Sequence, residues 1–186
     1  RDLEICSRLN LWHAVHDDAQ IDWLATHKTH QPHRVFLKMN SGMNRLGFTP
    51  ERFRAAYARL NALPQVDEIS FMTHFSDADV EHGLDHQLRV FHKTTLDLPG
   101  ERSVSNSAAT LLHGDENNVR CDWVRPGIVL YGSSPDFPTH DAAHWGLEPT
   151  MTLSSKIIGT QELHAGDTVG YGSRFQCDGP LRLGVV

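Results

Sequence analysis

Two apolar runs that each end beside a cation constrain the fold of this chain more than any other feature. The first, VFLKMNSGMNRLGF, occupies positions 35–48, and the second, DWVRPGIVLYG, occupies positions 122–132. An apolar run without alternation is typical of a parallel strand covered on both faces. A cation in such a run costs free energy unless it has a partner or a role. The two runs therefore predict parallel strands that deliver Lys38 and Arg125 to a functional site.

Composition limits the class of protein. The 186 residues allow one domain or slightly more, and 39% hydrophobic with 22% charged residues is typical of a soluble globular protein. A net charge of −6 argues against a general nucleic-acid surface. No apolar stretch approaches the roughly 18 residues of a membrane span, and no signal-peptide core is present, so we expect no membrane association. Cys6, Cys121 and Cys177 are widely spaced, which predicts free thiols and a cytoplasmic protein.

The thirteen histidines do not predict a metal site. Three pairs, His13/His16, His30/His33 and His82/His86, have helical spacing, but none has the HExxH form or a nearby third ligand. We therefore expect no metal.

Strand-like runs alternate with helix-length gaps. Thr49-Pro50 is typical of a helix start, and Phe53, Ala56, Tyr57 and Leu60 then share one apolar face. Similar helices are predicted around Ile21–Ala25 and Leu84–Phe91. Successive strand–helix units indicate a parallel sheet, either open or closed into a barrel. The predicted strands are Leu11–Val15, Val35–Met39, Ile69–Phe75, Arg102–Ser105 and Asp122–Tyr131.

The pattern changes after about Gly146. Met151–Ile158 and the glycine-punctuated Val169–Gly172 indicate short strands without helices between them. We predict that residues 1–145 belong to an α/β domain and that residues 146–186 begin a mainly-β domain. Because the chain ends inside the apolar run Leu181–Val186, we expect it to be a piece of a longer polypeptide.

Polar residues lie within or just after four successive predicted strands. In a parallel α/β protein the active site lies beyond the carboxyl ends of the strands, so these groups are expected at one rim. Taken singly, each has a structural explanation, such as a strand-end ion pair or a helix cap. Together, a hydroxyl at a helix start, free amides, a flat imidazole and a fixed cation favour a pyridoxal phosphate site. The residues are Lys38 and Arg45, Thr73 and His74, Asn106 and Ser107, and Arg125 with Gly127 and Ile128.

Five ordered segments resemble bacterial alanine racemase over nearly the whole chain. The resemblance implies a partial (β/α)8 barrel followed by the start of a mainly-β domain, and a cytoplasmic homodimer that uses pyridoxal 5'-phosphate. It also implies interconversion of L- and D-alanine by two bases, to supply D-alanine for peptidoglycan or for catabolism. The segments are VFLKMNSGMNRLGF, THFSDAD (73–79), SVSNSAATL (103–111), DWVRPGIVLYGSSP (122–135) and MTLSSKIIGTQELHAGDTVGYGSRF (151–175).

The resemblance also implies roles for single residues. His74 would stack on the pyridine ring, and Arg125 would bond to the pyridine nitrogen, restraining side reactions. Arg45 would lie near the substrate carboxylate, and Lys38 would be a carbamylated lysine that holds Arg45. Tyr171 would be the second catalytic base, reaching the active site of a partner subunit. The phosphate-binding segment would comprise Asn106, Ser107 and the amides of Gly127 and Ile128.

One expected motif is absent from the chain. The family's Schiff-base lysine lies in a VKANAYGHG-type motif, and none of the four lysines, Lys28, Lys38, Lys93 and Lys156, has that context. We therefore expect these 186 residues alone to be inactive. Three alternatives stay open: a non-catalytic pyridoxal phosphate-binding barrel protein, a racemase or decarboxylase of the same fold type with another substrate, and a fragment without a site. The sequence does not distinguish biosynthetic from catabolic enzymes.

Overall fold

Five parallel strands form one sheet in the order β1-β2-β3-β4-β5. The computed structural model describes residues 2–186. Every strand pairs with its sequence neighbour in parallel, and helices make the crossovers. The strands are β1 Trp12–Val15, β2 His33–Lys38, β3 Val66–Met72, β4 Arg102–Ser105 and β5 Trp123–Val124; the helices are α1 Asp2–Leu9, α2 Asp18–Thr26, α3 Pro50–Asn61, α4 Asp85–Thr95 and α5 Ser107–Leu112.

The helices cover one face of this sheet because their apolar residues repeat at helical spacing. In α3, which begins at Pro50 as predicted, Phe53, Ala56 and Leu60 are buried. They pack onto the outward side chains of the strands: the Phe53 and Phe71 ring centroids are 5.9 Å apart. Val35, Leu37, Phe71 and Val104 on that face are fully buried. The buried layer between sheet and helices is the core of this part of the chain.

The sheet is strongly curved. Trp12 of β1 and Trp123 of β5 lie on opposite edge strands, yet their ring centroids are only 5.7 Å apart. Phe36 of β2 contacts both rings, with centroids at 4.9 and 5.8 Å. In a flat sheet, four strand spacings would separate the edge strands by about 19 Å. The sheet therefore curls around an interior, as the wall of a barrel does, and the α/β prediction of a partial barrel is confirmed.

The prediction that the apolar runs are covered on both faces is wrong for this chain. Burial alternates along β2: Val35 and Leu37 are buried under helices, whereas Phe36 and Lys38 are half-buried on the concave face. In β5, Trp123 and Val124 are exposed. The concave face carries large side chains, but only part of their surface is covered.

The predicted strand Asp122–Tyr131 is also wrong. Only Trp123–Val124 is a strand, and Ile128–Tyr131 forms a 3₁₀ turn. The ladder continues as far as the Arg125 N–H, which donates to the Ser105 carbonyl at 2.9 Å. Pro126 then ends it, because proline has no N–H to donate. Arg125 therefore lies just beyond the strand rather than within it.

The second compact unit is Met151–Val186, and the first ends at Thr150. The sequence had placed this boundary at residues 145/146. The unit contains two antiparallel pairs, of β6 Gly159–Leu163 with β9 Leu181–Val185, and of β7 Thr168–Val169 with β8 Phe175–Gln176. Met151–Ile158, expected to be a strand, has no regular secondary structure. Assignment of residues 146–186 to the beginning of a larger β-domain stays a prediction.

Among residues 2–186, no helix has the length and apolarity to cross a membrane. The three cysteines are free, with Cys177 buried and Cys6 and Cys121 half-buried. In the same part of the chain, no group of three or more histidine, cysteine or carboxylate side chains is arranged to hold a metal ion.

Candidate active site

Arg125 is fixed at the carboxyl edge of the sheet by three acceptors. Its guanidinium donates to the Ser103 carbonyl (2.8 Å), the Ser103 hydroxyl (2.5 Å) and the Thr73 carbonyl (2.6 Å). Ser103 belongs to β4 and Thr73 directly follows β3, so the side chain ties these neighbouring strands together. Burial lowers the pKa of Arg125 to about 10, which leaves it a cation at neutral pH. The arrangement is a rigid positive charge on the concave face.

His74 lies two residues beyond β3, surrounded by positive charge. Burial, followed by the charges of Arg125, Arg45 and Lys38, lowers the pKa of His74 to about 4. The ring is therefore neutral at physiological pH. Its half-buried position leaves one surface open to the cavity that it lines.

Lys38 ends β2, and a tight loop returns Arg45 toward it. Asn40 holds this loop, since its side-chain oxygen accepts the backbone N–H groups of Gly42 (3.2 Å) and Asn44 (2.9 Å). Gly47 has φ +130°, and a Cβ there would lie 2.5 Å from the Asn40 nitrogen, so only glycine fits. Burial and the charges of Arg45 and Arg125 lower the pKa of the Lys38 amine.

These cations have no carboxylate partner within residues 2–186. The arginine–carboxylate pairs of that range involve Arg52, Arg59 and Arg182, all outside this region. Uncompensated clustered cations raise the free energy of the folded state unless an anion joins them. The cluster of Lys38, Arg45 and Arg125 is therefore built to receive negative charge.

A second group of donors faces the same cavity from α5 and the 3₁₀ turn. Asn106 caps α5, accepting the Ala109 N–H at 3.0 Å, and its amide nitrogen donates to the Phe75 carbonyl at 3.2 Å. The Ser107 hydroxyl accepts the Gly127 N–H at 2.8 Å and so joins the two elements. The first amides of a helix have no partner inside it and point toward anions.

The structure brings six of the predicted residues together. They line one cavity of about 300 Å³, together with the exposed carboxylate of Asp79. Arg45 is exposed on its loop, near enough to act on His74 and Lys38 by charge. Tyr171 lies in the other compact unit, on the 3₁₀ turn Tyr171–Ser173, and its side chain is fully exposed. The six are His74, Asn106, Ser107, Arg125, Gly127 and Ile128.

Two residues escaped the sequence interpretation: Ser103, which holds Arg125, and Asn40, which organises the loop that carries Arg45. Thr73 was a candidate, but its role as a carbonyl acceptor for Arg125 was not predicted. A further buried contact joins the hydroxyls of Ser41 and Thr73 at 2.6 Å. The alternating serines of SVSNS were a usable signal for Ser103, because alternate strand residues share a face. No sequence pattern indicated the role of Asn40, because the N–H groups that its side chain accepts depend on how the loop folds back.

Comparison with known proteins agrees with this geometry. The family model described as alanine racemase, N-terminal domain, matches residues 1–135. This chain belongs to the alanine racemase family. An alanine racemase from Delftia acidovorans is 75% identical over all of this chain and 52% of its own length. One from Polaromonas sp. is 74% identical over all of this chain and 51% of its own length.

A solved family structure has the same fold. The biosynthetic alanine racemase from Pseudomonas aeruginosa superimposes with a TM-score of 0.81 at 37% identity, over 97% of this chain and 50% of that one. The chain thus spans about half the length of the relatives it matches. The family resemblance seen in the sequence is confirmed.

Proposed function

We propose that this chain supplies part of the active site of an alanine racemase that interconverts L- and D-alanine with pyridoxal 5'-phosphate. The observation that supports it best is Arg125, which bonds to β4 and to the residue after β3, beside His74 and a group of hydroxyl and amide donors. The high identity to alanine racemases favours alanine over other substrates. A non-catalytic barrel protein accounts less well for the cation cluster around His74.

The residues fit this cofactor by their chemistry. Pyridoxal phosphate combines a dianionic phosphate, a flat ring and a ring nitrogen that accepts a hydrogen bond. The cavity offers to the phosphate the Ile128 amide and the Ser107 hydroxyl, which the Gly127 N–H holds in place. It offers the His74 ring to the pyridine and Arg125 to the nitrogen. When bound, the cofactor supplies an electron-withdrawing group that acidifies the α-hydrogen of the amino acid.

Arg125 would set the strength of that electron withdrawal. Arginine keeps its protons at neutral pH, so it donates a hydrogen bond without giving up a proton. A ring nitrogen facing such a donor stays unprotonated. The three acceptors that hold Arg125 keep its charge at one place, so the site needs no reorganisation during proton transfer.

Proton transfer would involve one base on each face of the substrate. We assign Tyr171 to one face and propose that the enzyme is a homodimer in which Tyr171 reaches the active site of a partner subunit. The other base would be the lysine of the VKANAYGHG-type motif, which this chain does not contain. Full exposure of Tyr171 is consistent with a contact to a second subunit. The enzyme would act in the cytoplasm and supply D-alanine for the cell wall or for catabolism.

The direct test compares two polypeptides. Extended at both ends to the length of its relatives and supplied with pyridoxal phosphate, the protein should racemise alanine, measured by chiral chromatography of the product. The 186-residue chain alone should show no racemisation, because one of its two bases is missing. Turnover by the short chain would contradict the assignment, and so would an inactive long protein that binds the cofactor.

Lys38 should be carbamylated. Its lowered pKa increases the neutral fraction of the amine, which adds CO₂ to give a carbamate anion and one released proton. The anion would offset the charges of Arg45 and Arg125. With ¹³C-bicarbonate we expect a carbamate signal by NMR in the full-length protein, lost in Lys38→Gln together with an about tenfold rise in KM for alanine.

Lys93→Gln, which changes an exposed lysine on α4, is the control and should keep both the signal and the KM. A carbamate signal that survives in Lys38→Gln would show that another lysine carries the group.

A further inference from the structure

Residues 133–149 form a closed loop directly after the 3₁₀ turn of the candidate site. The loop ends meet, because the Thr150 hydroxyl donates to the Leu130 carbonyl at 2.6 Å and the Thr150 N–H to the Tyr131 carbonyl at 3.4 Å. Gly132 allows this approach: its φ is +80°, and a Cβ there would lie 2.1 Å from the Glu148 carbonyl oxygen. A loop whose ends are hydrogen-bonded together and whose own side chains pack inside it is a compact folded unit rather than a flexible linker.

The interior of this loop is a buried carboxylate. Asp136 is 4% exposed and accepts three hydrogen bonds from loop residues: the Ser134 hydroxyl at 2.8 Å, the Trp145 indole N–H at 2.9 Å and the His140 imidazole at 2.5 Å. Burial alone would raise the pKa of Asp136, but the bonds from His140, Trp145 and Ser134 outweigh it and lower the pKa to about 2. The carboxylate is ionised at any physiological pH.

Asp136 also fixes one wall of the candidate active site. Ser134 and Pro135 line the same cavity as Ser107, Gly127 and Ile128, whereas Asp136 itself does not line it. The Ser134 hydroxyl points inward to the carboxylate and accepts the Asp136 N–H at 3.4 Å. The position of the Ser134–Pro135 wall relative to the phosphate-binding donors is therefore set by a group behind the wall.

We propose that Asp136 is a positioning residue that fixes the Ser134–Pro135 wall of the cavity and so sets its affinity for the phosphate group of the cofactor. The proposal rests on the proposed function. A carboxylate suits this task because its two oxygens accept from several donors at once, and such charge-assisted bonds are stronger than neutral ones. An asparagine has one acceptor oxygen, and its amide hydrogens would face the donors of Trp145 or His140.

The experiment uses the apo form of the full-length protein and two probes, pyridoxal phosphate and pyridoxal, which lacks the phosphate. Asp136→Asn should raise the dissociation constant for pyridoxal phosphate about tenfold and leave that for pyridoxal within about twofold. At saturating cofactor, kcat should be unchanged. Asp141→Asn is the matched control, since Asp141 is an exposed carboxylate of the same loop and, within residues 2–186, its side chain accepts only the His144 N–H, at 2.9 Å. It should alter neither constant.

A second variant keeps the test decisive if Asp136→Asn does not fold. Trp145→Phe removes one donor and keeps most of the ring, so pyridoxal phosphate binding should weaken about threefold with pyridoxal unaffected. Equal weakening for both probes, or no weakening for pyridoxal phosphate, would overturn the role of Asp136. A wild-type protein that binds neither probe would instead contradict the proposed function itself.

Discussion

Arg125→Gln should lower the kcat of the full-length racemase by about 100- to 1,000-fold, the cost typical of losing one preorganised donor in an active site. Glutamine keeps a donor at this position but loses the charge and the forked geometry that reaches both the Ser103 and the Thr73 carbonyls. The ring nitrogen of the cofactor would then face a neutral amide. Initial rates of racemisation at saturating cofactor measure the change.

The same variant has a consequence that does not depend on turnover. Part of the depression of the His74 pKa comes from the charge of Arg125, second to burial. Removing that charge should move the His74 pKa upward from about 4, which proton NMR titration of the histidine signals detects. An unchanged His74 pKa would show that the two side chains do not share one electrostatic environment.

Arg102→Gln provides the control for folding. Arg102 lies on β4 and donates to the Thr95 carbonyl at 3.4 Å, but it does not line the cavity. Leaving buried acceptors unpaired costs about 1–3 kcal/mol of stability, so both variants are expected to be somewhat less stable. Only Arg125→Gln should lose activity. A similar loss of kcat in Arg102→Gln would assign the effect to stability rather than to the site.

Tyr171→Phe should make proton exchange asymmetric. If Tyr171 acts on one face of the substrate, its loss removes general acid–base assistance worth about 100- to 10,000-fold for one enantiomer. The base on the other face is unchanged, so exchange of the α-hydrogen from the opposite enantiomer should continue. Deuterium washout from D- and L-alanine, followed separately by NMR, gives both rates.

Because Tyr171 is exposed, this variant should change activity without changing stability. Its hydroxyl makes no hydrogen bond among residues 2–186, and its side chain is fully exposed, so phenylalanine should not alter stability. Tyr57→Phe is the control, because Tyr57 packs against Phe71 on the helix-covered side of the sheet, with centroids 5.7 Å apart. Equal loss of exchange for both enantiomers in Tyr171→Phe would contradict a two-base mechanism.

Much of the fold followed from local patterns. The apolar spacing of Phe53, Ala56 and Leu60 after Thr49-Pro50 predicted α3, and the structure buries all three residues. The strand starting at Arg102 was predicted with its observed bounds. One failure occurred where an apolar run was taken as evidence of a strand despite its proline and glycine: Pro126 stops the ladder after Arg125. The other failure, Met151–Ile158, contains neither proline nor glycine and has no regular secondary structure.

The site residues stay a prediction, and the side chains that support them were not predicted. Strand order and direction place Lys38, His74, Ser107 and Arg125 at one rim, where the sequence predicted them in or just after successive strands. The partners of Arg125 lie 22 and 52 residues away along the chain, at Ser103 and Thr73. The Asp136 cluster was not anticipated, because a carboxylate in a proline-containing loop is usually solvated.

The sequence by itself determined the parallel α/β class, the family and the identity of the charged and polar groups, because periodicity, turn residues and long ordered motifs are local properties. The tertiary structure alone decided that the sheet curls until Trp12 contacts Trp123, that Ser103 and Thr73 hold Arg125, and that Asp136 lies inside a closed loop. These depend on contacts between residues far apart in the chain. Their geometry is fixed only when burial of the whole core selects one arrangement.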